Sequence, residues 1–261
     1  MTLTPTGFLS IGTASLEYKW LAPQSADAPT IVMLHEGLGS VGLWGDFPDR
    51  VAQATGLGVF VYSRAGYGAS SPSAMPRRVT FMHEEAREVL PRVLDAIGFR
   101  RGVLLGHSDG ASIAAIYAGS FPTPRLCGIV LLAPHFFAES FGIDEIARAR
   151  GRYGEGDFRA KLARWHRDPD NAFYSWSGPW LDPQFKAWDI RPELAAVGVP
   201  VLIVQGDQDQ YGTLEQVETA KRLCPSPVEA VILPGIRHIP HRDAPAETRA
   251  AVGDFIGRLG L

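Results

Sequence analysis

The peptide Gly-His-Ser-Asp-Gly at residues 106–110 places a serine between an apolar run and a helix-like stretch. A serine in Gly-x-Ser-x-Gly between a strand and a helix is typical of a nucleophile elbow, a sharp turn in which the serine takes strained backbone angles. The two glycines leave space where larger side chains would collide. Because such peptides also arise by chance, the hypothesis of a nucleophilic Ser108 depends on an acid and a histidine later in the chain.

Carboxylates and histidines do follow Ser108, each pair after an apolar run that is typical of a strand. Asp207 and Asp209 follow the first run, and His238 and His241 follow the second. Folds with parallel sheets assemble their sites at the carboxyl ends of the strands. The order nucleophile, acid, histidine is the one that accompanies Gly-x-Ser-x-Gly. The residue types therefore favour nucleophilic catalysis but leave open which acid and which histidine take part.

The chemistry that these residue types can do is acyl transfer. A serine hydroxyl is a poor nucleophile at neutral pH, so a histidine must accept its proton during attack and pass it to the leaving group. A carboxylate would keep the imidazole in the correct tautomer and stabilise its charged form. The oxyanion that forms needs hydrogen-bond donors, and the backbone N–H of Asp109, the residue after Ser108, is expected to be one of them.

Short apolar runs alternate with helical patterns and predict the elements that would carry these residues. Strands are predicted at 30–34, 58–62, 102–105, 128–132, 201–204 and 228–233, with an edge hairpin at 8–11 and 15–20. Several runs are almost entirely β-branched or aliphatic, as in strands that are buried on both faces of a parallel sheet. The alternation predicts an α/β fold with a doubly wound, mostly parallel sheet.

Three helices have recognisable sequence signals. An amphipathic pattern predicts a helix over 80–98, which Pro91 should kink or interrupt. Thr213-x-x-Gln216 is a candidate capping box at the start of a second helix. A third helix is expected to begin near Pro245 and to run towards the end of the chain.

The segment at residues 136–190 has no convincing strand and is rich in aromatic side chains. The rings are those of Phe136, Phe137, Phe141, Tyr153, Phe158, Trp165, Phe173, Tyr174, Trp176, Trp180, Phe185 and Trp188. Such density in a helical insertion predicts a lid over an apolar pocket, while packing of the insertion onto the main domain accounts for part of the rings. The expected organisation is a core domain at 1–135 and 191–261 with a helical cap at 136–190.

Five motifs occur in order along the chain. They are His35-Glu-Gly-Leu-Gly-Ser40, Arg64-Ala-Gly-Tyr-Gly-Ala-Ser70, the elbow at 106–110, Gly206-Asp-Gln-Asp209 and Arg237-His-Ile-Pro-His-Arg-Asp-Ala-Pro245. In this order they resemble the α/β-hydrolase superfamily over nearly the whole chain. The resemblance implies the α/β-hydrolase fold, a mostly parallel eight-stranded sheet flanked by helices with a helical cap insertion.

The resemblance also selects among the candidate residues. In the family pattern Gly-x-x-Asp the last residue is the acid, which implies Asp209. The family histidine opens a segment that ends in acid-x-Pro, which implies His238. The implied catalytic residues are therefore Ser108, Asp209 and His238, and His241 is expected to be structural.

The loop after the third strand departs from the family pattern, because it reads His-Glu-Gly where the family has His-Gly. Aligned on the histidine, the second oxyanion donor is the backbone N–H of Gly37; aligned on Gly-Leu-Gly-Ser, it is that of Leu38, which we favour. Glu36 would oppose the charge of the oxyanion unless it is paired. It is expected either to form a structural ion pair with Arg64 or His107, or to contact the substrate or handle a proton.

Beyond the triad, the pocket is expected to contain Glu36, His107, Trp165, Trp176, Trp180 and Tyr211. The resemblance and the residue types together favour a serine hydrolase without a cofactor. It would cleave an ester, lactone or thioester of an apolar or aromatic small molecule through an acyl-enzyme. Fold and triad do not fix the substrate. The alternatives are a hydrolase of carbon–carbon bonds in products of aromatic-ring degradation and a non-hydrolytic small-molecule binding protein on the same fold.

Composition argues against several other classes of function. A net charge of −3 gives no basic surface for nucleic acid. No segment reaches 18 uninterrupted apolar residues and the first residues lack a secretory signal, so a cytoplasmic protein without membrane contact is expected. Cys127 and Cys224 are expected to be buried free thiols. No spacing of metal ligands such as His-Glu-x-x-His occurs, and a monomer or homodimer with a small-molecule substrate is expected.

Overall fold

One mixed sheet runs through the protein, which the computed structural model describes over residues 3–25 and 27–261. Its strands are β1 (Thr6–Ile11), β2 (Ala14–Leu21), β3 (Thr30–Leu34), β4 (Gly58–Tyr62), β5 (Gly102–His107), β6 (Leu126–Leu132), β7 (Val201–Gly206) and β8 (Val228–Leu233). Their order across the sheet is β1-β2-β4-β3-β5-β6-β7-β8. Strands β3 to β8 are parallel, while β1 and β2 form a hairpin that joins β4 in antiparallel pairing.

The eight predicted strands are confirmed, with ends that differ by at most two residues. All residues of β4 and β5 are buried, which explains why their sequences are continuous apolar runs. The two faces of β3 show the alternation. Ile31 and Met33 pack in one cluster of buried residues, and Val32 and Leu34 pack in the other. The predicted eight-stranded, mostly parallel α/β architecture is therefore confirmed.

Helices flank this sheet and supply the remaining elements. They are α1 (Phe47–Thr55), α2 (Phe81–Glu84), α3 (Leu90–Ala96), α4 (Asp109–Ser120), α5 (Ser140–Glu155), α6 (Phe158–Leu162), α7 (Pro169–Trp180), α8 (Arg191–Leu194), α9 (Glu215–Leu223), α10 (Pro240–Asp243) and α11 (Pro245–Arg258). Short 3₁₀ turns lie at Gly42–Trp44 and Pro183–Ala187.

The predicted interruption of the helix at 80–98 is confirmed. A π-helical turn at Glu85–Val89 separates α2 from α3, and Pro91 lies in the first turn of α3. Proline has no N–H and its ring collides with the carbonyl one turn earlier, so the wider turn before it removes the conflict. The helix ends before Gly98, which has the positive φ of 70° that glycine adopts without strain.

The predicted capping box at the start of α9 is wrong. Thr213 Oγ1 accepts from the backbone N–H of Glu215, but Gln216 does not reach back to complete a box. Its side chain instead accepts a hydrogen bond from the backbone N–H of Phe136 at 2.7 Å and donates to the carbonyl oxygen of Phe137 at 3.1 Å. Gln216 thus ties α9 to the segment that follows β6, because those buried backbone groups have no strand partner.

Residues 136–190 lie between β6 and β7 and form α5, α6, α7 and a 3₁₀ turn. We call these residues the helical insertion. Its ends meet, since Phe137 and Asp189 pair in an isolated antiparallel bridge. Within it, the rings of Tyr153 and Phe173 stack with centroids 3.8 Å apart. A part of the aromatic residues therefore packs inside the insertion itself.

Candidate active site

Ser108 lies in the turn between β5 and α4 with φ 53° and ψ −118°. A positive φ is uncommon for a residue other than glycine and carries a conformational cost. The glycines on either side make this turn possible. A Cβ on Gly106 would overlap the backbone of Gly110, and a Cβ on Gly110 would overlap the carbonyl group of Leu34.

Hydrogen bonds join Ser108, His238 and Asp209 into one chain. Ser108 Oγ lies 2.9 Å from His238 Nε2, and His238 Nδ1 lies 2.8 and 2.9 Å from the two carboxylate oxygens of Asp209. The carboxylate can only accept, so Nδ1 carries the ring proton and Nε2 is free to accept from the serine hydroxyl. This is the protonation state that a general base for Ser108 requires.

The Asp209 carboxylate is held by several donors besides His238. Oδ1 accepts from the backbone N–H of Tyr211 at 2.8 Å, and Oδ2 accepts from Gln205 Nε2 at 2.8 Å. Burial acts to raise the pKa of Asp209, but the charge and hydrogen bond of His238 and the backbone donor lower it by more. The net effect is a pKa below the usual value, so Asp209 stays ionised at neutral pH.

Asp207 and His241, the other sequence candidates, lie elsewhere. Asp207 is exposed and accepts from the backbone N–H of Gly235 at 2.7 Å, which closes a turn. His241 is buried, with its ring 4.7 Å from that of Trp44 and 5.4 Å from that of Phe47. Burial lowers the pKa of His241 to about 3, so its ring is neutral at physiological pH.

A cavity of about 160 Å³ opens above Ser108 and His238. Of the predicted pocket residues, Glu36, His107, Trp176, Trp180 and Tyr211 line it. The two tryptophans come from α7, so the helical insertion forms part of the wall.

The prediction for Trp165 is wrong, because this residue does not line the cavity. Its side chain is 46% exposed. The ring covers the turn at Gly42, where a Cβ would lie 3.0 Å from it. Trp165 follows the end of α6 and turns towards the outside of the molecule, whereas the tryptophans of α7 face inward.

Four lining residues were not predicted, namely His135, Gly142, Ile146 and Ile239. His135 follows β6, and this position at the end of a parallel strand was a signal for it. Its ring centroid lies 5.6 Å from that of His238, and burial lowers the pKa of His135 to about 3. Ile146 gave no comparable signal, because a single isoleucine in a helix does not reveal what it faces.

Two backbone segments meet beside Ser108 where oxyanion donors are predicted. Gly37 and Leu38 both line the cavity, and Asp109 is the first residue of α4, whose N–H has no intrahelical partner. A Cβ at residue 37 would overlap the ring of Trp176. His166 of the insertion donates from Nε2 to the carbonyl oxygen of Leu38 at 3.0 Å. Both Gly37 and Leu38 therefore remain candidates for the second donor.

The Asp109 side chain points away from solvent and contacts the insertion. Its Oδ1 accepts from Trp180 Nε1 at 3.1 Å, and Oδ2 has no hydrogen-bond partner among the described residues. Burial raises the pKa of Asp109 despite the nearby guanidinium of Arg64. This contact links α7 directly to the first residue of α4.

The Glu36 carboxylate pairs with His107 rather than with Arg64. Glu36 Oε2 lies 3.3 Å from His107 Nδ1. Arg64 instead donates to the main-chain oxygens of His35 and Glu36. Of the two partners predicted for a structural ion pair, the structure places His107 at the Glu36 carboxylate and Arg64 at main-chain oxygens.

The remaining expectations from the sequence concern the cysteines, metal binding and membrane-spanning helices. Cys127 and Cys224 are free thiols, but both are half-buried rather than buried. Over residues 3–25 and 27–261, no group of three His, Cys, Asp or Glu side chains is arranged to hold a metal ion. The same ranges contain no helix that is both long and apolar enough to cross a membrane.

The chain is similar in sequence to known proteins. The sequence pattern of the Alpha/beta hydrolase family matches residues 31–251. The chain is 24% identical over 280 residues to the human (Lyso)-N-acylphosphatidylethanolamine lipase, covering 90% of this chain and 81% of the lipase.

Solved structures show the same fold. The enol-lactonase from Burkholderia xenovorans superposes with a TM-score of 0.76 at 18% identity, over 96% of this chain and all of that one. A putative lipase from Acinetobacter baumannii superposes with a TM-score of 0.78 at 20% identity, over 98% of this chain and 91% of that one.

Proposed function

This chain belongs to the alpha/beta hydrolase family, and we propose that it is a serine hydrolase. It would cleave an ester, lactone or thioester of a small apolar or aromatic molecule. The observation that carries the proposal is the hydrogen-bond chain from Ser108 through His238 to Asp209, which ends in a cavity. The lipase activity in the name of the 24% identical human relative agrees with ester-type chemistry.

In the proposed reaction, His238 Nε2 accepts the Ser108 proton while Ser108 Oγ forms a bond to the substrate carbonyl carbon. The imidazolium then gives this proton to the leaving alcohol or thiol as the carbon–oxygen or carbon–sulfur bond breaks. Water attacks the resulting acyl-enzyme by the same route and releases the acid. Asp209 stabilises the charged imidazole in both halves.

The oxyanion of each tetrahedral intermediate would be stabilised by backbone donors. We assign one to the N–H of Asp109, at the N-terminus of α4, and the second to Leu38 or Gly37. Each donor of this kind contributes roughly 3 kcal/mol to transition-state stabilisation.

The size and lining of the cavity support a small apolar substrate group. A dry cavity of roughly 150 Å³ holds one benzene ring, and this cavity has about 160 Å³. Much of its wall is apolar, with Leu38 on one side and Ile146 and Trp176 of the insertion on the other. In this proposal the helical insertion acts as the cap that selects the substrate.

Turnover of short p-nitrophenyl esters tests the proposal. Replacement Ser108→Ala should lower kcat on the order of 10⁴-fold or more, and a serine-directed phosphonate should label Ser108 and no other serine. Ser120→Ala is the matched control, because Ser120 lies at the far end of the same helix and bonds Arg87. Full activity of Ser108→Ala on the natural substrate, or a label on another residue, would refute the assignment.

A further inference from the structure

Glu36 is a carboxylate in the wall of the cavity, close to the predicted oxyanion donors. It precedes Gly37 and Leu38, and it pairs with His107, the residue before Ser108. An unpaired negative charge at this place would oppose the oxyanion, since electrostatic interactions are strong in a site that excludes water. The negative charge of Glu36 must therefore be neutralised by a partner, and the role of the carboxylate in the cavity wall has to be explained.

The hydrogen bonds of His107 neutralise Glu36. His107 Nε2 lies 2.8 Å from the main-chain oxygen of His238, which can only accept, so Nε2 carries a proton. His107 Nδ1 lies 3.3 Å from Glu36 Oε2, so a second proton lies between these two atoms. The pair consequently has no net charge. Burial acts to raise the pKa of Glu36, but the hydrogen bond and charge of His107 lower it by more, so the net effect is a pKa below the usual value.

The loop holds Glu36 in place from its backbone. The main-chain oxygen of Glu36 accepts from His35 Nδ1 at 2.7 Å, from Arg64 Nη2 at 3.0 Å and from the N–H of Gly39 at 3.1 Å. A Cβ at residue 39 would overlap the Glu36 carboxylate, so glycine gives it room. A group that is fixed in advance loses little conformational entropy when it binds a ligand.

Among the described residues, one of the two carboxylate oxygens of Glu36 has a hydrogen-bond partner. Within the described part of the chain, hydrogen bonds to the Glu36 side chain end on Oε2, and Oε1 has no partner. Oε1 differs from Asp109 Oδ2, which is fully enclosed and has no hydrogen-bond partner in the part of the chain that the structure describes. Glu36 lines the cavity, and its side chain is 22% exposed. A carboxylate oxygen that has no partner within the protein is a strong acceptor for a ligand donor.

We infer that Glu36 Oε1 accepts a hydrogen bond from a hydroxyl or amine group that the substrate carries within two bonds of its scissile ester group. The inference rests on the proposed hydrolase function and narrows its substrate class. The substrate is an ester with one apolar group of about the size of a benzene ring, which fills the cavity, and a neighbouring hydrogen-bond donor, which binds Glu36.

Two isosteric ester series test this assignment. The first has the p-nitrophenyl esters of 2-phenylpropanoate, mandelate and phenylglycine, in which a methyl is replaced by a hydroxyl or an ammonium group. The second has propyl, 2-hydroxyethyl and 2-aminoethyl benzoate, which place the same groups in the leaving alcohol. After division by each ester's uncatalysed hydrolysis rate, the donor esters of at least one series should exceed the methyl ester in kcat/KM about 10- to 100-fold.

The variants separate recognition from general activity. Glu36→Leu should abolish the preference for both donors, and Glu36→Gln should keep part of the hydroxyl preference but lose the ammonium preference. Each ratio compares substrates within one protein, so an overall loss of rate cancels. Glu145→Gln is the matched control, because Glu145 pairs with Arg148 and Arg152 on α5 outside the cavity lining.

The outcomes distinguish this inference from the function on which it rests. Turnover that depends on Ser108 but shows no donor preference in either series, or a preference that survives in Glu36→Leu, overturns the inference alone. If Glu36→Leu does not fold, an unchanged ammonium preference in Glu36→Gln overturns it. Absence of any turnover that depends on Ser108 overturns the proposed function, and the inference falls with it.

Discussion

The carboxyl rim of the sheet and the helical insertion build the same cavity by different means. On the rim, Ser108 is fixed by a tight turn, and Asp209 is fixed by His238, Gln205 and backbone donors. Asp209 and His238 follow β7 and β8, which are neighbours in the sheet, and Ser108 follows β5 of the same sheet. The rim is therefore held by the sheet itself.

The insertion is attached to the rim through side-chain contacts. Trp180 Nε1 donates to Asp109, and His166 binds the carbonyl oxygen of Leu38 and the N–H of Gly68. Each contact joins residues about 70 to 130 positions apart in sequence. Because the two regions are attached differently, we expect substitutions in them to have different effects. Changes on the rim should alter the rate for every substrate, and changes at the insertion should alter stability and selectivity. Four measurements test these expectations; the first should give the largest change and the fourth the smallest.

The first measurement replaces the rim acid. Asp209→Asn should lower kcat about 10⁴-fold for all ester substrates, because the amide favours the wrong tautomer of His238. The thermal midpoint should change far less than the rate. Asp207→Asn is the control and should stay within a few-fold of wild type. Equal effects of the two substitutions on kcat would contradict the role of Asp209.

The second measurement tests the closest approach of the two regions. Gly37→Ala places a methyl group against the Trp176 ring. Such overpacking costs about 1 to 3 kcal/mol in stability, and the displaced loop beside Ser108 should lower kcat/KM about 10- to 100-fold. A second substitution, Trp176→Leu, should restore part of the loss. Gly178→Ala in α7 is the control, since its Cβ would meet nothing within 4 Å. An additive double mutant would show that the two regions are not coupled here.

The third measurement concerns the pH dependence of stability at His241, which lies outside the triad. The folded protein keeps His241 neutral, because burial lowers its pKa to about 3. A pKa lowered on folding leaves stability intact above the unfolded value near 6.5 and removes it as pH falls towards 3. Between pH 7 and pH 5, the free energy of unfolding measured with urea should fall by about 2 kcal/mol less in His241→Phe than in wild type. Identical losses in both proteins would refute this cause.

The fourth measurement removes one attachment of the insertion. Trp180→Phe deletes the hydrogen bond to Asp109 and should lower the free energy of unfolding by about 1 kcal/mol. KM should rise more than kcat falls, because the cavity wall is loosened while the triad is untouched. Trp165→Phe is the control on an exposed ring and should change neither quantity. A kcat loss as large as that of Asp209→Asn would contradict the expected difference between the two regions.

The sequence predicts the rim better than the helical insertion. The strands were predictable because buried parallel strands are continuous apolar runs, and residues after their ends meet at one edge. The sequence alone therefore predicts that Ser108, Asp209 and His238 lie near one another. The resemblance to a family was needed to choose Asp209 over Asp207.

The insertion was less predictable because its contacts depend on helix orientation. Aromatic density marked a pocket wall, but nothing in the sequence separated Trp165, which faces outward, from Trp176 and Trp180. The prediction of a capping box at the start of α9 was wrong for a related reason. Gln216 binds the backbone near Phe136, about 80 positions earlier, and a local pattern carries no information about such a partner.

The glycines around Glu36 and Trp176 make the cavity adjustable from one side only. A side chain at residue 37 would overlap Trp176, and one at residue 39 would overlap Glu36. Neither glycine can therefore be replaced without a shift of its neighbours. The aromatic ring across from the loop has no such restriction, since a smaller residue at position 176 would only add space. Acquired tolerance for bulkier substrates, in nature or in the laboratory, should therefore begin in α7 and leave the loop sequence unaltered.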